Sequence, residues 1–98
     1  MDVLATPEFG EWVDGLNRKA QGHVDDRVDR IREYSHFGDT RFLGEKLWEL
    51  RWRNGRRVYY AIVVGESGHE ALMLLGGDKD GQDRDIAQAR RILERDGG

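Results

Sequence analysis

The segment EKLWELRWRNGRRVYYAIVV, residues 45–64, leaves few choices of local structure. Apolar and polar residues alternate along both of its halves, which is the pattern of β-strands with one buried face. Asn54-Gly55 separates the halves, and this dipeptide favours the positive φ angles of a tight hairpin turn. We therefore predict a β-hairpin whose turn lies at Asn54-Gly55.

The alternation also divides the side chains of this hairpin between two faces. One set is apolar or aromatic and is predicted to face the core: Trp48, Leu50, Trp52, Val58, Tyr60 and Ile62. The other set is mainly charged and is predicted to face solvent: Leu47, Glu49, Arg51, Arg53, Arg57 and Tyr59. We refer to this second set as the arginine face. Because a planar guanidinium group can bind two phosphate oxygens at once, the arginine face is predicted to hold a phosphodiester.

The charge of the chain is unevenly distributed, although its formal net charge is only −3. Residues 41–60 carry six basic and two acidic side chains, whereas residues 1–40 carry nine acidic and five basic ones, and residues 61–98 carry eight acidic and five basic ones. Salt screens charges over roughly 8–10 Å, so the basic segment acts as a local positive patch within an acidic body. Such a body disfavours free nucleic acid as a partner and suits recruitment through a larger assembly.

The length and composition limit the class of protein. Ninety-eight residues are enough for one domain with its own core, and we predict a single domain over 1–98. The absence of cysteine excludes disulfides and thiolate zinc sites, and the three histidines lack the spacing of metal ligands. We therefore predict no metal ion and no other cofactor. No apolar run approaches the roughly 20 residues of a membrane span, and the start of the chain lacks signal-peptide features. We predict a cytoplasmic protein that does not bind membranes.

Helical patterns precede the hairpin. Thr6-Pro7-Glu8 is typical of a helix start, with a capping hydroxyl and a proline at the first helical position. Apolar residues then recur at helical spacing over 9–16, and again over a second helix from about residue 20 to residue 34. Residues 35–44 contain two glycines and are predicted to form a loop.

The pattern after the hairpin predicts one further strand and one further helix. Residues 69–75 (HEALMLL) are typical of a buried strand, and Val3 to Ala5 form a short strand at the start of the chain. Gly76-Gly77 is predicted to break the strand with positive φ angles. A last helix runs from about Gln82 to Arg95. The predicted order is β-α-α-β-β-β-α, an α+β fold with a twisted, mainly antiparallel sheet, two N-terminal helices packed on one side and a C-terminal helix.

This order of elements resembles the RelE/ParE superfamily of bacterial toxins. The motifs that carry the resemblance are Leu50-Arg51, Arg57-Val58-Tyr59-Tyr60 and, most specifically, Leu74-Leu75-Gly76-Gly77-Asp78-Lys79 followed by Gln82 and Asp85-Ile86-Ala87. Within the superfamily the chain most resembles the HigB-like, phage-derived addiction module killer proteins. The resemblance implies the toxin of a type II toxin-antitoxin system, held in a hetero-oligomer by a helix-turn-helix antitoxin. Many relatives cleave mRNA in the ribosome without a metal, whereas ParE-type relatives inhibit DNA gyrase.

Metal-independent RNA cleavage would need three kinds of group: a base for the ribose 2′-OH, cations for the phosphate and an acid for the leaving 5′-oxygen. Arg51 and Arg57 are the predicted phosphate ligands, because they lie in adjacent strands on the arginine face. Glu49 is the predicted base, and Tyr59 or Lys79 is predicted to supply a proton or a further positive charge. The other basic residues of the patch are predicted to contact RNA: Arg41, Lys46, Arg53 and Arg56.

The same residues also have explanations that involve no ligand. Arginines along an exposed strand protect a sheet edge from aggregation, and Glu49 next to Arg51 and Arg57 is explained equally well as a cross-strand ion pair. The sequence therefore leaves three functions open. They are a ribosome-dependent endoribonuclease, a toxin that binds gyrase without nuclease chemistry, and a toxin fold that has lost its activity and persists as the partner of its antitoxin.

Overall fold

The computed structural model describes residues 1–96, which form a five-stranded sheet and three α-helices. The strands are β1 (Asp2–Ala5), β2 (Thr40–Gly44), β3 (Leu47–Arg51), β4 (Arg56–Gly65) and β5 (Gly68–Asp78). The helices are α1 (Pro7–Asp14), α2 (Arg18–Tyr34) and α3 (Gln82–Asp96), and a 3₁₀ turn at Lys79–Gly81 leads into α3. None of these helices is long and apolar enough to cross a membrane.

The strands lie in the order β1-β5-β4-β3-β2. β1 runs parallel to β5, and the other three pairs are antiparallel. The predicted α+β class is therefore confirmed, with a mainly antiparallel meander between the N-terminal helices and α3. The capping prediction also holds, because the Thr6 hydroxyl accepts a hydrogen bond from the Phe9 N–H at 3.1 Å and Pro7 begins α1.

The loop predicted over residues 35–44 is wrong in its second half, since Thr40–Gly44 forms the edge strand β2 and pairs with β3. The connecting turn uses Glu45 and Lys46 at φ 50° and 73°. Asn and Gly usually occupy such positions, so Glu45 and Lys46 themselves carry no turn signal, and Gly44, at φ 93°, is the only turn residue of the connection. Arg90 of α3 donates to the carbonyl of Leu43 at 2.9 Å, which ties α3 to this edge of the sheet.

Helices cover both faces of the sheet. On one face, α1 and α2 pack over a core of buried residues: Phe9, Val24, Val28, Ile31, Leu50, Val58, Tyr60, Ala71 and Met73. On the other face, α3 packs over a second cluster: Leu47, Tyr59, Ala61, Leu72, Leu74, Leu75, Ala89, Ile92 and Leu93. The first cluster agrees with the predicted core of the hairpin. The second shows that the arginine face is not an open surface, because α3 folds back over it.

Strand β5 contains an irregularity that adapts it to these two layers. Tyr59 pairs with Leu75 and Tyr60 with Met73, so that Leu74 is an extra residue and two consecutive leucines face α3. The following Gly76 and Gly77 do not have positive φ angles, which contradicts the prediction for them.

Close packing explains these two glycines instead. A Cβ at Gly76 would collide with the indole of Trp12, and a Cβ at Gly77 would collide with the carboxylate of Asp85. The two glycines therefore let α1 and α3 approach opposite faces of the same strand.

Candidate active site

The predicted hairpin is confirmed, and its turn fixes the register of the site. Trp52 donates its N–H to the Arg56 carbonyl at 3.1 Å, which leaves a three-residue loop in which only Gly55, at φ 98°, has a positive φ angle. In the resulting register Arg51 lies opposite Arg57, and Glu49 lies opposite Tyr59.

Four side chains thus share the sheet face that α3 covers. Gln82, the first residue of α3, lies against the same group, because its Nε2 donates to Glu49 Oε2 at 2.9 Å. We refer to Glu49, Arg51, Arg57, Tyr59 and Gln82 as the β3–β4 site. Gln82 stands in the motif after Gly76-Gly77, but its contact joins residues 33 positions apart, and no local pattern predicts it.

Much of the β3–β4 site is buried, which corrects the predicted exposure of Glu49 and Tyr59. Glu49 is 1% exposed, Tyr59 is completely buried, and the Arg57 side chain is 12% exposed. Alternation showed correctly that these residues share a face. It did not show that the start of α3 would lie on that face.

Arg57 and Glu49 face each other as a buried ion pair with unusual hydrogen bonding. Arg57 Nε lies 4.0 Å from Glu49 Oε1, and neither atom has a hydrogen-bond partner among residues 1–96. Arg57 Nη1 instead donates to the carbonyls of Arg56 and Trp52, at 3.0 and 3.3 Å. Buried polar atoms without hydrogen bonds reduce stability, and such atoms are often found at functional sites. Glu49 Oε1 and Arg57 Nε therefore mark this ion pair as a candidate ligand-binding position.

Tyr59 supplies a protonated phenol next to this ion pair. Burial raises the pKa of Tyr59 well above its usual value, and the charges of Glu49 and Asp85 raise it further. The Tyr59 hydroxyl also has no hydrogen-bond partner among the described residues. At neutral pH this group is a potential proton donor, and its residue lies opposite Glu49 in the register of β3 and β4.

Arg51 is the second arginine of the β3–β4 site, opposite Arg57 in the register. Its main-chain N–H donates to the Asp39 carbonyl at 2.9 Å, while its side chain is half-buried. Within residues 1–96 the Arg51 guanidinium makes no hydrogen bond and no ion pair, so all of its donors are free for a ligand. Two cationic side chains, one free and one held against a carboxylate, thus lie side by side in neighbouring strands.

Three other predicted residues lie near the β3–β4 site. Arg41 is exposed on β2 and pairs in register with Glu49. Lys79 is exposed and lies against the hairpin turn, since its N–H donates to the Gly55 carbonyl at 2.8 Å and its stem packs on Gly55. Arg53 is exposed within the same turn. These residues extend the positive charge around the rim of the site.

The last two predicted RNA-binding residues do not converge on it. Arg56 precedes Arg57 and therefore points to the opposite face, where it lines a shallow recess with Trp12. Lys46 lies at the other end of β3, about 16 Å from Arg51 along the strand. Within residues 1–96 no three His, Asp or Glu side chains converge as metal ligands would.

Comparisons with known proteins agree with this architecture. Residues 11–95 match the family described as phage-derived protein Gp49-like (DUF891). An uncharacterized protein of Haemophilus influenzae is 30% identical over 95 residues, which cover 96% of this chain and 94% of that protein.

Three solved structures share the fold at low sequence identity. A mutant of E. coli toxin RelE in the free state has a TM-score of 0.69 and 13% identity, over 94% of this chain and 97% of that one. The intact E. coli RelBE toxin-antitoxin complex matches with a TM-score of 0.63 and 11% identity, over 79% of this chain and 94% of that one. A YoeB/ParE toxin from Agrobacterium tumefaciens matches with a TM-score of 0.64 and 12% identity, over 80% of this chain and 98% of that one. The chain therefore belongs to the phage-derived Gp49-like family and has the fold of the RelE and YoeB/ParE toxins, as its sequence motifs indicated.

Proposed function

We propose that this protein is the toxin of a type II toxin-antitoxin system and that it cleaves mRNA on the translating ribosome. The observation that supports this proposal most is the pairing of Arg51 with Arg57 beside the carboxylate of Glu49, in a fold shared with RelE. Two guanidinium groups match the charge of a phosphodiester, and the neighbouring carboxylate is an acceptor for a proton.

Each group of the site has a role in the proposed reaction. Arg51 and Arg57 bind the non-bridging oxygens of the scissile phosphate and stabilise the charge that develops on them. Glu49 takes the proton from the adjacent 2′-OH, whose oxygen attacks phosphorus. The 5′-oxygen leaves with a proton from Tyr59, which burial keeps protonated, or from Lys79 at the rim. The scheme uses no metal ion and no other cofactor.

The burial of Glu49 adds a conformational requirement to this scheme. The contact between Gln82 and Glu49 and the packing of Asp85 over Gly77 hold the start of α3 against the site. An RNA ribose can reach Glu49 only after residues 79–85 lift from the sheet. We therefore propose that the structure represents a closed form, and that binding of mRNA in the ribosome is coupled to release of this segment.

The proposed partners follow from the same considerations. The likeness to RelE in its complex with an antitoxin supports a cognate antitoxin for this chain, and we propose one of the helix-turn-helix class. The acidic body of the protein disfavours capture of free RNA, so we propose that the ribosome presents the mRNA and that the protein acts in the cytoplasm.

One observation favours a second candidate function. Because Glu49 and Tyr59 are buried, the groups that would catalyse RNA cleavage are covered, while the exposed cations remain free to bind a protein. A ParE-type toxin that inhibits DNA gyrase without nuclease chemistry would need only such exposed cationic side chains, which here are Arg41, Arg53 and Lys79. This alternative requires no movement of α3.

Mapping of mRNA 5′ ends after induction of the chain in cells distinguishes the two functions. The endoribonuclease predicts new ends within translated codons, and predicts that Arg51→Ala removes both the cuts and the growth inhibition while antitoxin binding persists. Arg30→Ala, which removes an exposed arginine from α2, is the matched control and is expected to leave both unchanged. Intact mRNA together with broken or abnormally supercoiled DNA would instead support gyrase as the target.

A further inference from the structure

Arg27 of α2 is a half-buried arginine that the proposed chemistry does not use. Its guanidinium donates three hydrogen bonds to main-chain carbonyls. Nη1 reaches the carbonyl of Arg51 at 2.8 Å, and Nη2 reaches those of Phe37 and Asp39 at 2.8 and 3.0 Å. A helix on one side of the sheet thus holds the peptide of Arg51, an arginine of the β3–β4 site.

The surroundings of Arg27 are shaped to hold one guanidinium group. Its Cζ lies 4.4 Å from the ring centroid of Trp52, a cation–π contact next to Arg51. Gly38 closes the other side at φ +72°, and a Cβ there would lie 3.3 Å from Arg27 Nη2. An arginine fills this space, and a side chain at position 38 would disturb it.

We propose that Arg27 is a positioning residue for Arg51, an inference that rests on the proposed phosphate-binding role of Arg51. The Asp39 carbonyl accepts hydrogen bonds from both the Arg51 N–H and Arg27 Nη2, and the Arg51 carbonyl accepts from Arg27 Nη1. The Arg27 guanidinium therefore fixes both the carbonyl of Arg51, directly, and the N–H of Arg51, through the Asp39 carbonyl.

This fixation matters because, among residues 1–96, no hydrogen bond or ion pair orients the Arg51 guanidinium. A bidentate phosphate ligand must be held to within about 0.5 Å of its productive position. The main chain of Arg51 is the available source of that precision. Lysine cannot replace Arg27 here, because a single ammonium group lacks the planar fork that reaches three carbonyls.

A double-mutant cycle tests the positioning role. The four proteins are the wild type, Arg27→Lys, Arg51→Lys and the double variant; Arg51→Lys keeps a charge, so that residual activity can be measured. Two readouts are used: the rate of mRNA cleavage in a cell-free translation reaction, and growth inhibition in cells. We expect Arg27→Lys to lower the cleavage rate about tenfold when Arg51 is present and less than about twofold in the Arg51→Lys background.

Two controls separate positioning from loss of folding. Arg27→Met keeps an apolar stem over Trp52 without donors, and it is expected to show the same dependence on Arg51. A parallel cycle pairs Arg27→Lys with Lys79→Ala, and it is expected to be additive because the Lys79 side chain packs on Gly55 and shares no hydrogen-bond partner with Arg27. Thermal melts establish that each variant is folded at the assay temperature.

The outcomes distinguish this inference from the proposed function. Equal losses from Arg27→Lys in both backgrounds would show general destabilisation and would overturn the positioning role, even if mRNA is cut. Growth inhibition without mRNA cuts would refute the proposed nuclease function. The double-mutant cycle measured by growth inhibition would then decide whether Arg27 positions Arg51. A wild-type chain that neither cuts mRNA nor inhibits growth would refute both proposals.

Discussion

A disulfide between β5 and α3 would test whether the start of α3 must lift for RNA cleavage. The chain contains no cysteine, so the pair Gly77→Cys and Asp85→Cys can be introduced without competing thiols. A Cβ at position 77 would lie 3.8 Å from the Cβ of Asp85. Disulfides span Cβ···Cβ distances of about 3.5–4.5 Å, so this bridge fits the closed form without a backbone shift. Replacing Asp85 also removes the carboxylate that a side chain at position 77 would strike.

The structure allows the size of the effect to be stated. The bridge closes a loop of about nine residues, which in the chain-entropy model raises the free energy of unfolding by roughly 2.5 kcal/mol. In the oxidised protein the two Cβ atoms cannot separate, so Gln82 stays against Glu49. We expect the cleavage rate to fall by at least about tenfold, a barrier increase of about 1.4 kcal/mol or more.

The assay compares oxidised and reduced protein on mRNA-programmed ribosomes without added thiol. Reduction is expected to restore cleavage, which would exclude misfolding as the cause of the loss. The single variant Asp85→Cys, treated with the same oxidant, controls for oxidative damage and for the loss of the carboxylate. If the oxidised double variant cleaves mRNA as fast as the reduced one, residues 79–85 need not lift, and Glu49 is not the base.

Three further predictions concern the fold. Thr6→Ala removes the cap of α1 and should lower the free energy of unfolding by about 1–2 kcal/mol in urea denaturation; a loss below about 0.3 kcal/mol would show that the cap is not needed. Gly76→Ala forces a methyl group against Trp12 and should cost about 1–3 kcal/mol, with unchanged stability contradicting the close packing. The Arg95 guanidinium donates a hydrogen bond to the Glu8 carboxylate at 2.6 Å, and this bond lowers the pKa of Glu8 below its usual 4.5. The ion pair between Glu8 and Arg95 therefore stabilises the fold above pH 4.5, and this stabilisation is lost as the pH falls and Glu8 becomes protonated. Glu8→Gln should flatten the dependence of melting temperature on pH in that range. A variant with the wild-type pH dependence would refute this attribution.

The residues of the β3–β4 hairpin show how far local patterns reach. Alternation placed Leu50, Val58 and Tyr60 in one buried layer and Arg51 beside Arg57 in the other, because successive side chains of a strand point to opposite faces whatever surrounds them. The Thr6 cap follows in the same way from neighbours in the chain. These features were predictable since the interacting groups lie within a few residues or across one tight turn.

The cover of the site depends on contacts between distant parts of the chain. Alternation shows that Glu49 and Tyr59 share a face but does not show what packs on that face, so α3 turned a predicted surface into a buried site. Gly76 and Gly77 are likewise predicted to break the strand, although their role is to leave space for the side chains of Trp12 and Asp85.

The sequence by itself determined the β3–β4 hairpin, the helices and the two arginines that adjoin each other, but not the edge strand β2. Tertiary structure decided that Gln82 lies on Glu49, 33 residues away, and that Arg27 holds the peptide of Arg51, 24 residues away. The physical reason is that a side chain's environment is set by whichever element packs against it. Local periodicity fixes the direction of a side chain, while the burial that gives it its chemistry comes from the rest of the fold.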